Sequence, residues 1–282
     1  MRPMGSWSAE VGAGDAESHT LFEVYDEYLV PLVFQAYAED TVARVVSIAG
    51  MESGSLLEVA AGTGVVTRLL AAALPPAVAI TATDLVPGML ARAEAVGTVR
   101  PVAWEVADAL ALPYDDESFD VVVCAFGAMF LHPYAAAFAE LRRVLRPGGR
   151  LLCSVWDRLE ANDFAAVVDA ALRAACPDDP PEFLRRTPYA YSDPEAIVAD
   201  LAAAGFTAAP LVEMITHRSR AASALDVALA VCAGTPLRDE IQRHGPGALG
   251  RAIEATAAAL GERFGAADLD GGVSAIFVTV AR

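Results

Sequence analysis

The sequence contains no lysine, because all 20 of its basic residues are arginine. This absence excludes a lysine nucleophile and a lysine Schiff base. Basic residues of any kind are also few, since 37 acidic residues outnumber them and give a formal net charge of −17. Nucleic-acid phosphates and anionic membrane surfaces both bind basic faces of proteins. The composition therefore predicts no nucleic-acid partner and no membrane partner, and it favours a small neutral or cationic ligand.

Cysteines are scarce and widely spaced. Cys124, Cys153, Cys176 and Cys232 include no Cys-x-x-Cys pair, so the sequence predicts neither a metal site nor a disulfide framework. The first twenty residues lack the apolar segment of a signal peptide. No uncharged apolar run reaches the length of about 18 residues that a membrane span requires. We therefore expect a reduced, cytoplasmic protein.

Apolar runs alternate with helical patterns between residues 51 and 160. Strands are predicted at 56–60, 78–83, 102–106, 119–125 and 150–156, with helices at 65–74, 87–94 and 134–145 between them. This order is typical of a doubly wound parallel sheet. Ligands of such sheets bind beyond the carboxyl ends of the strands, where Gly62, Asp84, Asp108 and Ala125 fall.

The flanking segments are less regular. Residues 1–17 are predicted to be disordered, and residues 21–49 form one or two amphipathic helices interrupted near Pro31. Further helices are predicted at 163–175, at 194–205 with Asp193 as the N-cap, and across 223–264. Two more strands are predicted at 211–216 and 273–280.

The first predicted strand leads into a glycine turn at Gly62 and Gly64, after which a helical pattern starts at Val65. A strand, a glycine turn and a helix N-terminus together gather unpaired backbone amides and are typical of a nucleotide-type site. Thr67 stands where the dinucleotide fingerprint has its third glycine, so the turn alone is a weak signal. An NAD-dependent dehydrogenase is therefore an alternative at this point.

Three carboxylates narrow the ligand. Glu58 lies inside the first strand, where a buried carboxylate requires a hydrogen-bonded or cationic partner; the turn amides or a ligand ammonium would provide one. Asp84, twenty residues after Gly64, ends the second strand and suits the hydroxyls of a ribose, and Asp108 ends the third and suits an adenine amino group. A ligand with an ammonium, a ribose and an adenine but no phosphate is S-adenosylmethionine. The alternative is that Glu58 and Asp84 are simple strand-end acids.

Five motifs make the chain resemble a class I S-adenosylmethionine-dependent methyltransferase of the ubiquinone/menaquinone-biosynthesis type. They lie at 58–64, 82–90, 107–113, 119–127 and 141–151, and they cover about residues 55–156 in the family's order and spacing. The resemblance implies an α/β fold: a Rossmann-like, doubly wound, mostly parallel sheet of seven strands with a reversed final hairpin and a helical lid.

The resemblance also divides the chain. A disordered N-terminus (1–17) and an N-terminal helical lid segment (18–50) precede the cofactor-binding core (51–160). Helical substrate-lid insertions follow at 161–265 and include one core helix and strand at about 193–217, and the final core strand occupies 266–282.

The implied cofactor is S-adenosylmethionine, and no metal is implied. The residues expected to contact the cofactor are Tyr25, Tyr28, Glu58, Ala60, Gly62, Thr63, Gly64, Asp84, Leu85, Met89, Asp108, Ala109, Ala125 and Phe126. Met89 would cover the purine, and Phe126 would border the methyl group. Tyr25 and Tyr28 would lie on a helix that closes over the cofactor in similar enzymes. Plain packing is the alternative for Met89 and for both tyrosines.

The expected activity is methyl transfer to an oxygen, nitrogen or carbon atom of a small molecule. His132 is the histidine nearest the methyl position and the candidate general base, with a surface or helix-capping role as the alternative. Aromatic residues in the lid favour a hydrophobic or aromatic acceptor of quinone-like or secondary metabolism: Phe164, Phe183, Tyr189 and Tyr191. A non-methylating cyclisation with the same cofactor and a non-enzymatic binding module are alternatives. The oligomeric state is open, with a homodimer as one option.

Overall fold

A computed structural model describes residues 21–50 and 52–282 of the chain. The predicted disordered segment 1–17 lies outside the described residues. The chain divides into two compact units. Of the described residues, the first unit takes in 21–34, Arg158–Ala190 and Thr216–Ser274, and the second takes in Gln35–Asp157, Tyr191–Ile215 and Ala275–Arg282.

The described residues form a seven-stranded sheet in the order β3-β2-β1-β4-β5-β7-β6. Its strands are β1 (Gly54–Val59), β2 (Val78–Asp84), β3 (Ala103–Val106), β4 (Phe119–Ala125), β5 (Leu145–Trp156), β6 (Leu211–Ser223) and β7 (Ala267–Ala281). The pairs β3-β2, β2-β1, β1-β4 and β4-β5 are parallel, whereas β7 is antiparallel to β5. This confirms the predicted Rossmann-like, doubly wound sheet with a reversed end.

The strand order changes direction between β1 and β4. After β1 the chain builds outward through β2 and β3, and it then returns to place β4 on the other side of β1. Leu56, Leu57 and the run Val121 to Val123 are almost completely buried, as expected for parallel strands covered on both faces. The carboxyl ends of β1 and β4 therefore meet at the topological switch point, where ligands bind in this class of sheet.

The helices of the second unit are α2 (Gln35–Ala49), α3 (Val65–Ala73), α4 (Pro87–Val96), α5 (Tyr134–Val144) and α8 (Pro194–Ala203). The first unit contains α1 (Leu21–Val24), α6 (Asp163–Ala175), α7 (Phe183–Arg186), α9 (Ala224–Ala233), α10 (Leu237–Gln242) and α11 (Ala248–Phe264). A π-helical segment, Tyr25–Phe34, follows α1. Short 3₁₀ turns occur at Ala128–Phe130 and Leu159–Ala161.

Helix α9 forms the centre of the first unit. Its residues from Val227 to Ala233 are buried, and α11, α10, α6 and the π-helical segment pack around it. A helix that is apolar on every side is stable only when other elements cover it. Ser223 and Asp226 form a capping box that starts this helix, each accepting the other's backbone N–H at 3.1 Å.

Tyr37 fixes α2 to the second unit. Its side chain is fully buried, and its hydroxyl donates to the carbonyl of Ile215 at 3.0 Å. Its ring lies 5.4 to 6.0 Å from the rings of Phe126, Trp156 and Phe277. Helix α2 thus belongs to the sheet-containing unit, which differs from the sequence-based grouping of residues 18–50 in one lid segment.

Several local predictions differ from the structure: β5 and β7 begin earlier than predicted, at Leu145 and Ala267, and two further differences arise where tertiary contacts override the local pattern. Pro31 does not interrupt the N-terminal helix, since the π-helical segment accommodates it. Strand β6 continues to Ser223 instead of ending near Thr216. Arg218 and Arg220 make that extension look polar, but both pair with Asp270 of β7.

Within the described part of the chain, every helix is too short or too polar to cross a bilayer. The same residues include no cluster of three or more His, Cys, Asp or Glu side chains that could hold a metal ion. All four cysteines are unpaired.

Asp193→Ala should lower the free energy of unfolding by about 1 kcal/mol, because the Asp193 carboxylate caps α8 by accepting the Glu195 amide at 2.9 Å. Urea denaturation measures the change. Asp193→Asn retains an acceptor oxygen and should stay within about 0.5 kcal/mol of the wild type. Equal losses in the two variants would contradict the capping role.

Candidate functional site

The turn that follows β1 is built from left-handed residues. Ala60, Gly62 and Gly64 have φ angles of 56°, 57° and 80°. A non-glycine residue in this region is uncommon and stores strain. The turn is held by the amide of Ala61, which donates to the Thr83 carbonyl at 2.9 Å. The chain then enters α3 directly after Gly64.

Gly64 is required by space as well as by its backbone angle. A Cβ atom at this position would lie 2.9 Å from the Trp104 ring and 3.0 Å from the Ala93 Cβ. Sequence reasoning did not identify Trp104 as part of this region. The available signal was that Trp104 is the only aromatic residue of β3.

Asp84 joins the ends of β1 and β2. The carboxylate is 8% exposed; it accepts the Gly62 amide at 2.8 Å and the Val86 amide at 2.9 Å, one on each oxygen. Burial raises the pKa of Asp84, and the bonds from Val86 and Gly62 oppose that rise. Each carboxylate oxygen keeps capacity for a further hydrogen bond, so the predicted ribose role is chemically available.

Glu58 is buried in β1 with 2% exposure and accepts the Thr67 hydroxyl at 2.6 Å. Burial raises the pKa of Glu58 to about 8, although the Thr67 bond and the nearby Arg68 charge oppose the rise. The Gly62 amide, one of the turn amides predicted as a partner for Glu58, instead binds Asp84. Thr67 was not predicted as the partner of Glu58. Its unusual place in the sequence, where the dinucleotide fingerprint has its third glycine, could have indicated this role.

The start of α3 offers further polar groups. No side chain from the described residues caps this helix, so its first backbone amides are available to a ligand. Thr63 is 1% exposed, and its hydroxyl has no hydrogen-bond partner within the described chain. A buried hydroxyl without a partner is costly. The turn therefore fits a polar ligand that would bind Thr63 and the helix start.

The end of β3 adjoins this region, because the Ala107 amide donates to the Asp84 carbonyl at 3.2 Å. Asp108 is exposed, and its carboxylate accepts the Leu110 amide at 2.9 Å, while Ala109 is 5% exposed. Leu85 is 63% exposed, and Met89 in α4 is half-buried. These residues place a carboxylate and apolar side chains at neighbouring strand ends, a combination that suits a purine.

The end of β4 makes a close approach to the end of β1. Phe126 has φ 55°, and its amide donates to the Ser154 carbonyl at 2.9 Å. A Cβ atom on Gly127 would lie 2.5 Å from the Ala60 Cβ and 2.9 Å from the Cys124 sulfur. Gly127 is therefore what allows the ends of β1 and β4 to lie this close, a requirement that the sequence did not reveal.

The contacts described for three predicted site residues, Tyr25, Tyr28 and His132, are packing contacts. Tyr25 and Tyr28 belong to the first unit and pack against its hydrophobic core. Burial, followed by the charge of Asp226, raises the pKa of Tyr28. His132 is exposed, and its ring lies 5.3 Å from that of Tyr134. Their cofactor and general-base roles stay predictions.

The aromatic residues that suggested the acceptor's chemistry have packing roles. Phe164 and Phe183 are buried in the hydrophobic core of the first unit, and Tyr189 packs against it. Tyr191 donates its hydroxyl to Asp200 at 2.8 Å and stacks on Tyr134 with 3.7 Å between centroids. Because packing accounts for them, these side chains no longer indicate which acceptor binds.

Comparison with known proteins places the similarity on this region. A family model described as a methyltransferase domain matches residues 57–153. Demethylmenaquinone methyltransferase of Deinococcus radiodurans is 46% identical over 99 residues, which are 34% of this chain and 41% of that protein. The enzyme of the same name from Thermus thermophilus is 36% identical over 165 residues, or 54% of this chain and 74% of the relative.

The chain belongs to the class I S-adenosylmethionine-dependent methyltransferases of the ubiquinone/menaquinone type. Among solved structures, the YcgJ protein of Bacillus subtilis has a TM-score of 0.56 at 19% identity, covering 86% of this chain and 98% of that one. This likeness shows the fold. The chain spans only 41% of the length of the Deinococcus relative, and the family model ends at Cys153 in β5.

Gly127→Ala should lower the free energy of unfolding by about 1–3 kcal/mol, because the added Cβ atom overlaps Ala60 and Cys124. Combining it with Ala60→Gly, which removes one of the two overlaps, should restore about 1 kcal/mol. Denaturation of the two single variants and the double variant measures this coupling. Gly250→Ala is the control, because open space surrounds Gly250. Strictly additive losses would contradict the predicted contact.

Glu58→Gln should remove a pH dependence of stability. The folded carboxyl group, with a pKa of about 8, keeps its proton at pH values where the unfolded chain, with a pKa near 4.5, has lost it. Stability from this group is therefore complete below about pH 4.5 and falls as the pH rises towards 8. The wild-type free energy of unfolding minus that of Glu58→Gln should decrease over this window.

Chemical denaturation at several pH values provides this comparison. Glutamine keeps an oxygen for the Thr67 hydroxyl, so the main change is the loss of titration. Glu94→Gln, at an exposed position of α4, should reproduce the wild-type slope. A wild-type slope that is unchanged in Glu58→Gln would show that Glu58 does not titrate in this range.

Proposed function

We propose that this protein binds S-adenosylmethionine and transfers its methyl group to a small molecule. The observation that carries the proposal is the pair of buried carboxylates, Glu58 and Asp84, on either side of the glycine turn. These two acidic groups would repel a pyrophosphate beside them, whereas they would attract an ammonium or a sulfonium. The site thus favours a cationic adenosyl ligand over a dinucleotide.

The family's cofactor fits the residues in place. Glu58, Thr63 and the first amides of α3 would bind its amino-acid end, and Asp84 would bind its ribose hydroxyls. Asp108 and Ala109 would hold the adenine between Leu85 and Met89, and Ala125 and Phe126 would border the methyl position. When bound, the cofactor supplies an electrophilic methyl group. Ala60, Gly62 and Gly64 would contact the cofactor through their backbone, and the cofactor roles of Tyr25 and Tyr28 stay predictions.

The residues of this chain contribute mainly by position. Methyl transfer is an in-line displacement, so orienting the two reactants and excluding water accounts for much of the expected rate increase. Phe126 and Trp156 place apolar rings, 4.1 Å apart, at the ends of β4 and β5. His132 is the proposed general base for an acidic hydroxyl or carbon of the acceptor.

The acceptor is proposed to be a quinone-like aromatic small molecule. The names of the Deinococcus and Thermus relatives support this class. The four unpaired cysteines support the reducing cytoplasm as the place of action.

Incubation with methyl-labelled S-adenosylmethionine and a 1,4-naphthoquinol tests this proposal. Mass spectrometry should find the label in the quinol and one S-adenosylhomocysteine for each product molecule. Asp84→Ala should lower kcat/KM by about 100-fold or more, since two hydrogen bonds to a charged group are lost. Glu94→Gln should match the wild type.

Three results would contradict the assignment. Turnover of the acceptor without release of S-adenosylhomocysteine would favour a cyclisation or rearrangement. Wild-type affinity for the cofactor in Asp84→Ala would remove the assigned site. Micromolar binding of NAD with no binding of S-adenosylmethionine would favour a dehydrogenase.

A further inference from the structure

The loop between β3 and β4, residues 107–118, starts with the turn proposed to hold the adenine. The Ala111 amide donates to the Asp108 carbonyl at 3.0 Å, and the Leu110 amide donates to the Asp108 carboxylate. This turn closes on itself but is only four residues long. Its N-terminal side is fixed to β2 by the bond from the Ala107 amide to the Asp84 carbonyl, whereas its C-terminal side depends on what holds the loop beyond Ala111.

Leu112 is the point at which the loop is held, and both of its backbone groups are used. The Leu112 amide donates to the Glu140 carboxylate at 2.8 Å, and the Arg143 guanidinium donates to the Leu112 carbonyl at 3.1 Å. Glu140 and Arg143 also bind each other through two hydrogen bonds of 2.7 and 2.8 Å. A bidentate pair of this kind has a fixed geometry, so one ion pair on α5 sets the position of Leu112.

Arg143 extends the attachment along the loop. It donates to the Tyr114 carbonyl and to the Asp116 carboxylate, both at 2.8 Å. The Tyr114 hydroxyl in turn donates to Glu105 of β3 at 2.9 Å. The hydrogen bond from Arg143 is the main cause that lowers the pKa of Glu140. Both members of the pair are therefore charged at neutral pH.

We propose that Glu140 and Arg143 are positioning residues for the base end of the cofactor site. Through Leu112 they set the Asp108–Ala109 turn, and so they set how well the site distinguishes adenine from other bases. This inference rests on the proposed function. The hydrogen bonds described for the two side chains join them to each other and to Leu112, Tyr114 and Asp116, so the pair acts through the loop that follows the turn. Small displacements of a binding group change recognition strongly.

A role in stability alone makes a different prediction. Loss of a partly exposed ion pair would lower the stability of the fold and would weaken the binding of all ligands to the same extent. Loss of a positioning contact would instead reduce the preference for adenine over other bases. The useful comparison is between S-adenosylhomocysteine and S-inosylhomocysteine, in which an oxygen replaces the 6-amino group of the purine. Calorimetry gives a dissociation constant for each ligand. The readout is the dissociation constant of S-inosylhomocysteine divided by that of S-adenosylhomocysteine.

Glu140→Ala and Arg143→Ala should weaken binding of S-adenosylhomocysteine by about tenfold or more and should bring the ratio of the two dissociation constants closer to one. Glu140→Gln keeps an acceptor for Leu112 and should restore part of the ratio, and Arg143→Lys provides a second variant that retains charge. Arg146→Ala is the matched control. Arg146 lies three residues beyond Arg143, but it binds Asp120 and Ser55 instead of the loop, so this variant should keep the wild-type ratio.

The outcomes separate this inference from the proposed function. A wild type that binds neither ligand would overturn the proposed function, and this inference with it. A wild type that prefers the adenosyl ligand, together with an unchanged ratio in the folded Glu140 and Arg143 variants, would overturn the positioning role alone. A reduced ratio in Arg146→Ala equal to that in Arg143→Ala would also overturn it.

Discussion

The hydrogen bond from the Gly62 amide to the Asp84 carboxylate is the contact on which the proposed site depends. It joins the turn after β1 to the end of β2, and the second oxygen of the same carboxylate holds the turn that leads into α4. One side chain thus sets two of the backbone segments assigned to the cofactor. The left-handed angles at Ala60 and Gly62 are the backbone cost of bringing this amide to the carboxylate.

Burial of acidic groups gives the site its chemical character. Glu58 has only the neutral Thr67 hydroxyl as a hydrogen-bonding partner among the contacts described for its carboxylate, so its ionised form is disfavoured until a cation is close. Asp84 adds to this effect, since its negative charge raises the pKa of Glu58 further. A cationic ligand would stabilise the ionised form of Glu58 and offset the negative charge of Asp84. A phosphate would destabilise that ionised form further and would be repelled by Asp84. The overall acidity of the chain is consistent with this local preference.

The sequence predicted those parts of the molecule that local patterns determine. The bounds of β4 and α6 match the prediction, because an uninterrupted β-branched run and a regular apolar helical pattern each define their own ends. The parallel order followed from strand and helix alternation, and the acids at the ends of β2 and β3 were evident from their positions after apolar runs. The motif resemblance then identified the family.

The remaining features depend on residues distant in sequence. The closeness of Trp104 to Gly64 and of Ala60 to Gly127 arises only when β1, β3 and β4 lie side by side. The aromatic residues Phe164 and Phe183 showed in the sequence only that they are apolar, and the fold assigns them to a core. The role proposed for Glu140 required knowledge that α5 returns to the β3-β4 loop.

A crystal structure of the protein with S-adenosylhomocysteine would show whether the Asp84 carboxylate and the glycine turn form the cofactor site. In that structure the ribose hydroxyls should bind the Asp84 carboxylate, the amino-acid end should lie against the turn from Glu58 to Gly64, and the adenine should lie beside Asp108. A ligand bound elsewhere on the chain, or one whose ribose makes no contact with Asp84, would contradict this assignment.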